Sequence, residues 1–315
     1  MKIKNVVVAG GGVLGSQIAF QVAYTGFNVT IWLRNQDSIN HTKPKLDNLE
    51  KTYIDTINIM STKEGKTLNN WARGISSNDT FDKNKCITNV KNAYKNIKLE
   101  TDLSKALSNA DLVIESLAED INIKAEFYKK AQPFLAKDTL IVTNSSSLLP
   151  SKLAKYTGRP DKFLALHFAN SIWKNNTAEI MSQSKTTESS FNTIVKFAEE
   201  INMIALPIKK EKAGYLLNSM LIPFLFSALD LYVNGISDIK SIDASWKLGT
   251  GAPKGPFEIL DTVGLKTAYN IVQMYTKIPS FIAPYNFKGI AHLLKQYIDA
   301  GKLGKSSGIG FYNYK

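Results

Sequence analysis

Residues 3–15 read IKNVVVAGGGVLG, and this stretch constrains the fold more than any other. A β-branched run of the kind found in buried parallel strands passes directly into Gly10, Gly12 and Gly15. The spacing is G-x-G-x-x-G, with Val13 and Leu14 between the last two glycines. Ile18, Val22 and Ala23 then recur at helical spacing, and Gly26 closes that helix. "NVTIWL" follows as a second strand. The glycines permit a tight turn and a close backbone approach. The helix start offers free N–H groups to a pyrophosphate. A strand before the loop and a helix after it are the context this motif needs to bind a dinucleotide.

The residue that reads the ribose is expected at the end of the second strand, where an acid would hold the hydroxyls of NAD. This chain has Leu33 and Arg34 there. The Leu33 side chain cannot accept a hydrogen bond from a 2′-hydroxyl, and Asp37 serves only if the following turn brings it back. A guanidinium can pair bidentately with a 2′-phosphate. The expected cofactor is therefore NADP(H) in preference to NAD(H). The alternative is an exposed arginine at a strand end, with the ribose contact supplied elsewhere.

Strand and helix signals alternate through most of the remaining first two thirds. Strands are predicted in "ADLVIES", "TLIVTN", "FLALHFAN", "TAEIMS" and "MIALPIK". "NIKAEFYKKAQPFL", "SKLAKYTG" and "ESSFNTIVKFAEEI" read as helices. Such alternation predicts a doubly wound α/β sheet of Rossmann type. Residues 36 to about 100 interrupt it as a polar helical excursion after strand two. Helix is expected in "LDNLEKTYIDTINIM" and "LNNWARGI", and a loop in "SNDTFDKNK". Beyond about residue 210 the strands stop. Helices are predicted in "LLNSMLIPFLFSALDLYV", interrupted by Pro223, in "SDIKSIDASWKLG" with Ser237 as N-cap, and in "GLKTAYNIVQMY" and "IAHLLKQYID". The expected domains are a dinucleotide-binding domain over 1–210 and an all-α domain over 211–315, the latter for substrate and dimerisation.

The net charge of +12 has two readings: a compositional bias toward Lys, Asn and Ile, or a basic cleft for a polyphosphate ligand. The lysines are scattered, and no basic stripe interleaves with aromatics, so no nucleic-acid partner is expected. The longest apolar stretch, near residues 214–229, is broken by Asn218, Ser219 and Pro223 and falls short of a bilayer span. No membrane association is expected. One cysteine, Cys86, excludes an internal disulfide and any metal cluster built on several cysteines. That lone cysteine fits a reducing cytoplasm, and the N-terminal apolar run is too short for a signal h-region, so a cytoplasmic setting is expected.

Three histidines are present: His41, His167 and His292. His167 ends a buried-looking strand, and Glu179 stands twelve residues later in the next one. A carboxylate that fixes a histidine tautomer makes a base suited to neutral pH. A satisfied core histidine is the other reading of that spacing.

The ordered motifs "AGGGVLGSQIA", "ADLVIESLAEDINIKAEF", "TNSSSL", "RPDKFLALHF", "GPFEILDTVGL" and "GIGFYNYK" span nearly the whole chain. In them the sequence resembles the L-3-hydroxyacyl-CoA dehydrogenases. That resemblance implies a catalytic His167, with Glu179 as its carboxylate partner. It implies Ser146 as the holder of the substrate oxygen and Asn218 as an active-site residue on the helical domain. Glu119, Lys124 and Asn170 match positions near the cofactor. The implied reaction is hydride transfer at C3 of a short-chain 3-hydroxyacyl-CoA, by a homodimer. The segment "HFANSIWKNNTAEIM" departs from the family, which usually has proline where this chain has Ser171. That departure keeps open a dehydrogenase of a free hydroxy acid. A nucleotide-binding protein without turnover is a third possibility.

Overall fold

The computed structural model describes residues 2–67 and 71–314, which form two compact units, Met1–Leu216 and Leu217–Lys315. The sequence places the change near Glu211, but residues 211–216 still belong to the first unit. There the Ser151 N–H donates to Glu211 (2.7 Å), and Tyr215 is buried beside Ala165, Met181 and Ile208.

The first unit is built on an eight-stranded sheet. β1 (Asn5–Ala9), β2 (Asn28–Trp32), β3 (Lys98–Glu100), β4 (Leu112–Glu115), β5 (Leu140–Thr143) and β6 (Phe163–Phe168) are mutually parallel. β7 (Thr177–Met181) pairs antiparallel with β6, and β8 (Ile204–Ile208) pairs parallel with β7. The order is β3-β2-β1-β4-β5-β6-β7-β8. β1 lies between β2 and β4, so the winding reverses there and opens a crevice beyond the strand ends. The sheet is mixed, because β7 turns back alongside β6.

The strands read as continuous apolar runs because helices cover both faces. On one face pack α1 (Val13–Tyr24), α2 (Gln36–Met60), α3 (Lys83–Asn96) and α7 (Glu188–Glu200). On the other pack α4 (Leu103–Leu107), α5 (Ile121–Ala131) and α6 (Pro150–Ala154). Leu46, Leu49, Tyr53, Ile57 and Met60 form the buried stripe that holds α2 to the core, and the helix continues past Pro44.

Three local expectations change. Leu68–Asn70 lie outside the described residues. Residues 71–75 form a turn rather than a helix, with the Trp71 indole N–H on the Ser76 carbonyl (2.9 Å). The expected loop in "SNDTFDKNK" ends early, because Asp82 caps α3 through the Lys85 N–H (3.0 Å). In the second unit Asp238, not Ser237, caps its helix: its carboxylate accepts the Ser241 N–H (2.9 Å) and adds a favourable charge at the helix start.

The second unit contains α8 (Leu217–Val233), α9 (Ile239–Thr250), α10 (Pro256–Val263), α11 (Leu265–Gln273) and α12 (Phe287–Asp299). Phe226, Leu229, Phe257, Leu260, Val272 and Leu294 are among its core residues. Buried Asp261 accepts the Phe311 and Tyr312 N–H groups, which ties "GIGFYNY" to α10. No helix among the described residues is long and apolar enough to cross a membrane.

Candidate active site

The glycine loop leaves the end of β1 and enters α1. Gly10 has φ +112°, and a Cβ there would stand 2.7 Å from the Ser116 carbonyl oxygen. A Cβ at Gly15 would collide with the Gly10 carbonyl. A Cβ at Gly12 would meet nothing within 4 Å, so the loop opens outward there. No side chain caps α1 at Gly12, which leaves the first-turn N–H groups of Val13, Leu14 and Gly15 as donors. Open space over Gly12, bordered by uncapped N–H groups, fits the pyrophosphate of a dinucleotide.

At the end of β2 the side chains of Leu33 and Arg34 part. Leu33 is buried in the core, and its N–H donates to the Glu100 carbonyl (2.9 Å). Gly11 has no room for a side chain beside Leu33 and Thr42. Arg34 is exposed and, among the described residues, makes no hydrogen bond or ion pair. Asn35, next to it, caps α2 through the Ser38 N–H (2.9 Å). Asp37 is exposed in the first turn of α2.

Ser146, His167 and Glu179 form a continuous relay. Ser146 Oγ is 3.1 Å from His167 Nε2, and His167 Nδ1 is 2.9 Å from Glu179 Oε2. His167 and Glu179 face each other across the β6–β7 ladder, so the antiparallel register itself makes the pair. Both are buried. The other Glu179 oxygen accepts the Leu216 N–H (2.8 Å).

A second polar network supports the serine loop. Glu119 Oε1 accepts the Ser145 hydroxyl (2.6 Å), the Ser147 N–H (2.7 Å) and the Ser147 hydroxyl (2.8 Å). Burial works against its charge. The hydrogen bonds from Ser145 and Ser147, with the nearby Lys124 ammonium, outweigh that and hold the carboxyl below its ordinary range. Lys124 is buried, donates to Glu115 Oε1 (2.7 Å), and lies 3.4 Å from Glu119 Oε2. The Tyr128 and Thr143 hydroxyls fill the other Glu115 oxygen (2.9 and 2.8 Å). Lys124 thus reaches the loop through Glu119.

Asn170 is exposed after β6, with its carbonyl on the Asn175 side chain (2.7 Å). Asn218 lies in the first turn of α8, in the second unit. Sequence reasoning missed Tyr215, whose ring stacks on His167 with centroids 4.3 Å apart and 16° between planes. It also missed Gln17, whose side chain accepts the Ser171 N–H (2.8 Å), and Glu115. A polar residue inside an apolar strand was the available signal for Glu115.

Two family profiles cover the chain. "3-hydroxyacyl-CoA dehydrogenase, NAD binding domain" matches residues 5–211, and "3-hydroxyacyl-CoA dehydrogenase, C-terminal domain" matches residues 214–314. Human mitochondrial hydroxyacyl-coenzyme A dehydrogenase is 29% identical over 99% of this chain and 92% of its own length. A probable 3-hydroxyacyl-CoA dehydrogenase of Caenorhabditis elegans is 31% identical over 100% of this chain and 94% of its own. A solved structure concerned with substrate-directed dual catalysis of dicarbonyl compounds by diketoreductase is 43% identical. It covers 100% of both chains with a TM-score of 0.84.

The cytoplasmic expectation is corrected by these relatives, since the human enzyme and its pig counterpart are mitochondrial. The lone thiol on which that expectation leaned does not discriminate: one buried cysteine closes no internal disulfide in any compartment. The first unit is a Rossmann NAD(P)-binding domain. On the extent and order of these matches, the chain belongs to the 3-hydroxyacyl-CoA dehydrogenase family and is a hydride-transferring oxidoreductase.

Proposed function

We propose that the chain interconverts a short-chain 3-hydroxyacyl-CoA and its 3-ketoacyl-CoA, using NADP(H) in preference to NAD(H). The relay from Ser146 through His167 to Glu179 carries this reading. In oxidation His167 Nε2 takes the proton of the C3 hydroxyl, and in reduction it returns it. Glu179 holds the imidazole in orientation and stabilises its charged form. Ser146 donates to the C3 oxygen as its charge changes. The nicotinamide, when bound, supplies or accepts the hydride.

Gly10, Gly12, Val13, Leu14 and Gly15 would hold the pyrophosphate. Exposed Arg34, beside the start of α2, would hold the 2′-phosphate. Glu119, with Asn170, would line the nicotinamide side. The family resemblance favours a homodimer, and exposed Met220, Leu248, Met274 and Phe281 in the helical unit are apolar surface that such an assembly can use. Sedimentation at a monomer's mass across micromolar concentrations would exclude the dimer.

The deciding measurement is the initial rate with acetoacetyl-CoA and either NADPH or NADH. Turnover with NADPH favoured is expected. No oxidation of either nucleotide would overturn the reading. A second substrate class, dicarbonyl compounds without CoA, is favoured by the 43% identity to the diketoreductase structure and by the altered segment after Asn170. A panel of CoA esters against free 3-keto acids and diketones separates the two.

A further inference from the structure

We infer that Tyr215 is a positioning residue for the relay: its ring sets the plane of His167, and its hydroxyl sets the height of the Ser146 loop. This rests on the relay reading above. Tyr215 is fully buried in the first unit. Its ring lies nearly parallel to the imidazole, 4.3 Å away. Its hydroxyl donates to the Ser145 carbonyl (2.7 Å), one residue before the serine that meets His167 Nε2. One side chain therefore touches both the imidazole of the relay and the loop that carries its serine.

The backbone supports the assignment. Tyr215 has φ +54°, a left-handed conformation that bulky residues rarely adopt, and Gly214 before it has φ +82°. Such strain persists where surrounding contacts over-determine it. Here the contacts are the stack, the bond to Ser145, and the bond from the next residue, Leu216, to Glu179. Burial pushes the Tyr215 hydroxyl well above its ordinary range, so it remains a donor.

The two contacts do different work. Hydrogen bonding to Ser145 O fixes the peptide that presents Ser146. Glu119 grips the same loop through the Ser145 side chain and Ser147, so the loop is held from two sides. Stacking confines rotation of His167 about an axis that its single bond to Glu179 leaves free. The electron-rich ring face also favours the positive charge that His167 carries after taking a proton.

The test uses full-length protein with acetoacetyl-CoA, the better nicotinamide cofactor, and a separate cofactor titration by fluorescence. Tyr215→Phe keeps the ring and loses the hydroxyl. It should lower kcat roughly fivefold, with cofactor affinity unchanged. Tyr215→Leu loses the stack as well and should lower kcat by about tenfold more. In a Ser146→Ala background, Tyr215→Phe should have almost no further effect, because its hydroxyl acts through that serine. Wild-type kcat in Tyr215→Phe would overturn the inference, as would an undiminished penalty in the Ser146→Ala background. A parallel loss of cofactor affinity would make the role merely structural. No added loss in Tyr215→Leu would refute the stacking part. An inactive wild-type protein, by contrast, would sink the relay reading itself.

Discussion

Glu179 divides its carboxylate between the side chain of His167 and the backbone of Leu216, at 2.9 and 2.8 Å. One residue thereby orients the imidazole and anchors the last residue of the first unit. Glu179→Gln should lower kcat by about 10²- to 10⁴-fold while the protein still binds cofactor. Steady-state kinetics beside a cofactor titration decides it. A kcat within a few fold of wild type would remove Glu179 from the relay.

Arg34 is exposed and, among the described residues, unengaged, whereas Leu33 is built into the core. Arg34→Ala should therefore leave folding intact and raise the KM for NADPH by about 10- to 100-fold, with little change for NADH. Equal effects on both nucleotides would refute the cofactor preference. Leu33→Asp should not create a simple NAD site: its carboxylate would be buried beside Gly11, and thermal stability should fall.

The glycines of the loop should separate by function. Gly12→Ala adds a methyl group to open space, so melting temperature should hold while cofactor affinity falls. Gly15→Ala collides with the Gly10 carbonyl and should reduce both. Paired thermal melts with and without NADPH distinguish these outcomes; a Gly12→Ala protein that binds cofactor normally would contradict the placement of the phosphates.

Lys124 and Glu115 form a buried pair, and removing one partner strands a charge. Lys124→Met should cost about 3–5 kcal/mol of stability, measured by chemical denaturation. The double variant Glu115→Gln, Lys124→Met should recover a large part of that loss. If the double variant is no more stable than the single one, the pair is not what Lys124 serves.

Glu119 is held below the ordinary glutamate range, so it favours the folded state while ionised in both states. That contribution is complete above the ordinary range and is lost as pH falls below about 4, through the lowered folded value. Melting temperature should drop on acidification, and Glu119→Gln should flatten that limb of the curve. An identical acid limb in Glu119→Gln would assign the drop to other groups.

The strands of the sheet were legible because parallel strands buried on both faces must be apolar throughout, as in Val6–Ala9 and Phe163–Leu166. From spacing the His167–Glu179 pairing was legible only as two residues in successive strands, and the family resemblance supplied the partnership; the antiparallel register that joins them was not legible. α3 was missed because only Cys86, Val90 and Ala93 of its residues are buried, too thin a stripe to show in a polar segment. Tyr215 left no pattern, because a left-handed backbone at a tyrosine is set by its contacts and not by propensity. Arg34 carried a chemical signal, and Leu33 beside it proved to be a packing residue.

Ser171 adopts φ +58° and gives its N–H to Gln17, two things a proline cannot do. The next residues continue the commitment: Ile172 is fully buried, the Trp173 ring lies 5.4 Å from that of Tyr53, and the Trp173 carbonyl accepts the Gly74 N–H. A Cβ at Gly74 would meet Trp173 O at 2.8 Å. Anyone who grafts a relative's prolyl loop onto this enzyme to change its substrate must therefore exchange Gln17, Tyr53 and residues 71–76 with it. The transferable module is the loop together with a clamp that comes from three other stretches of the chain.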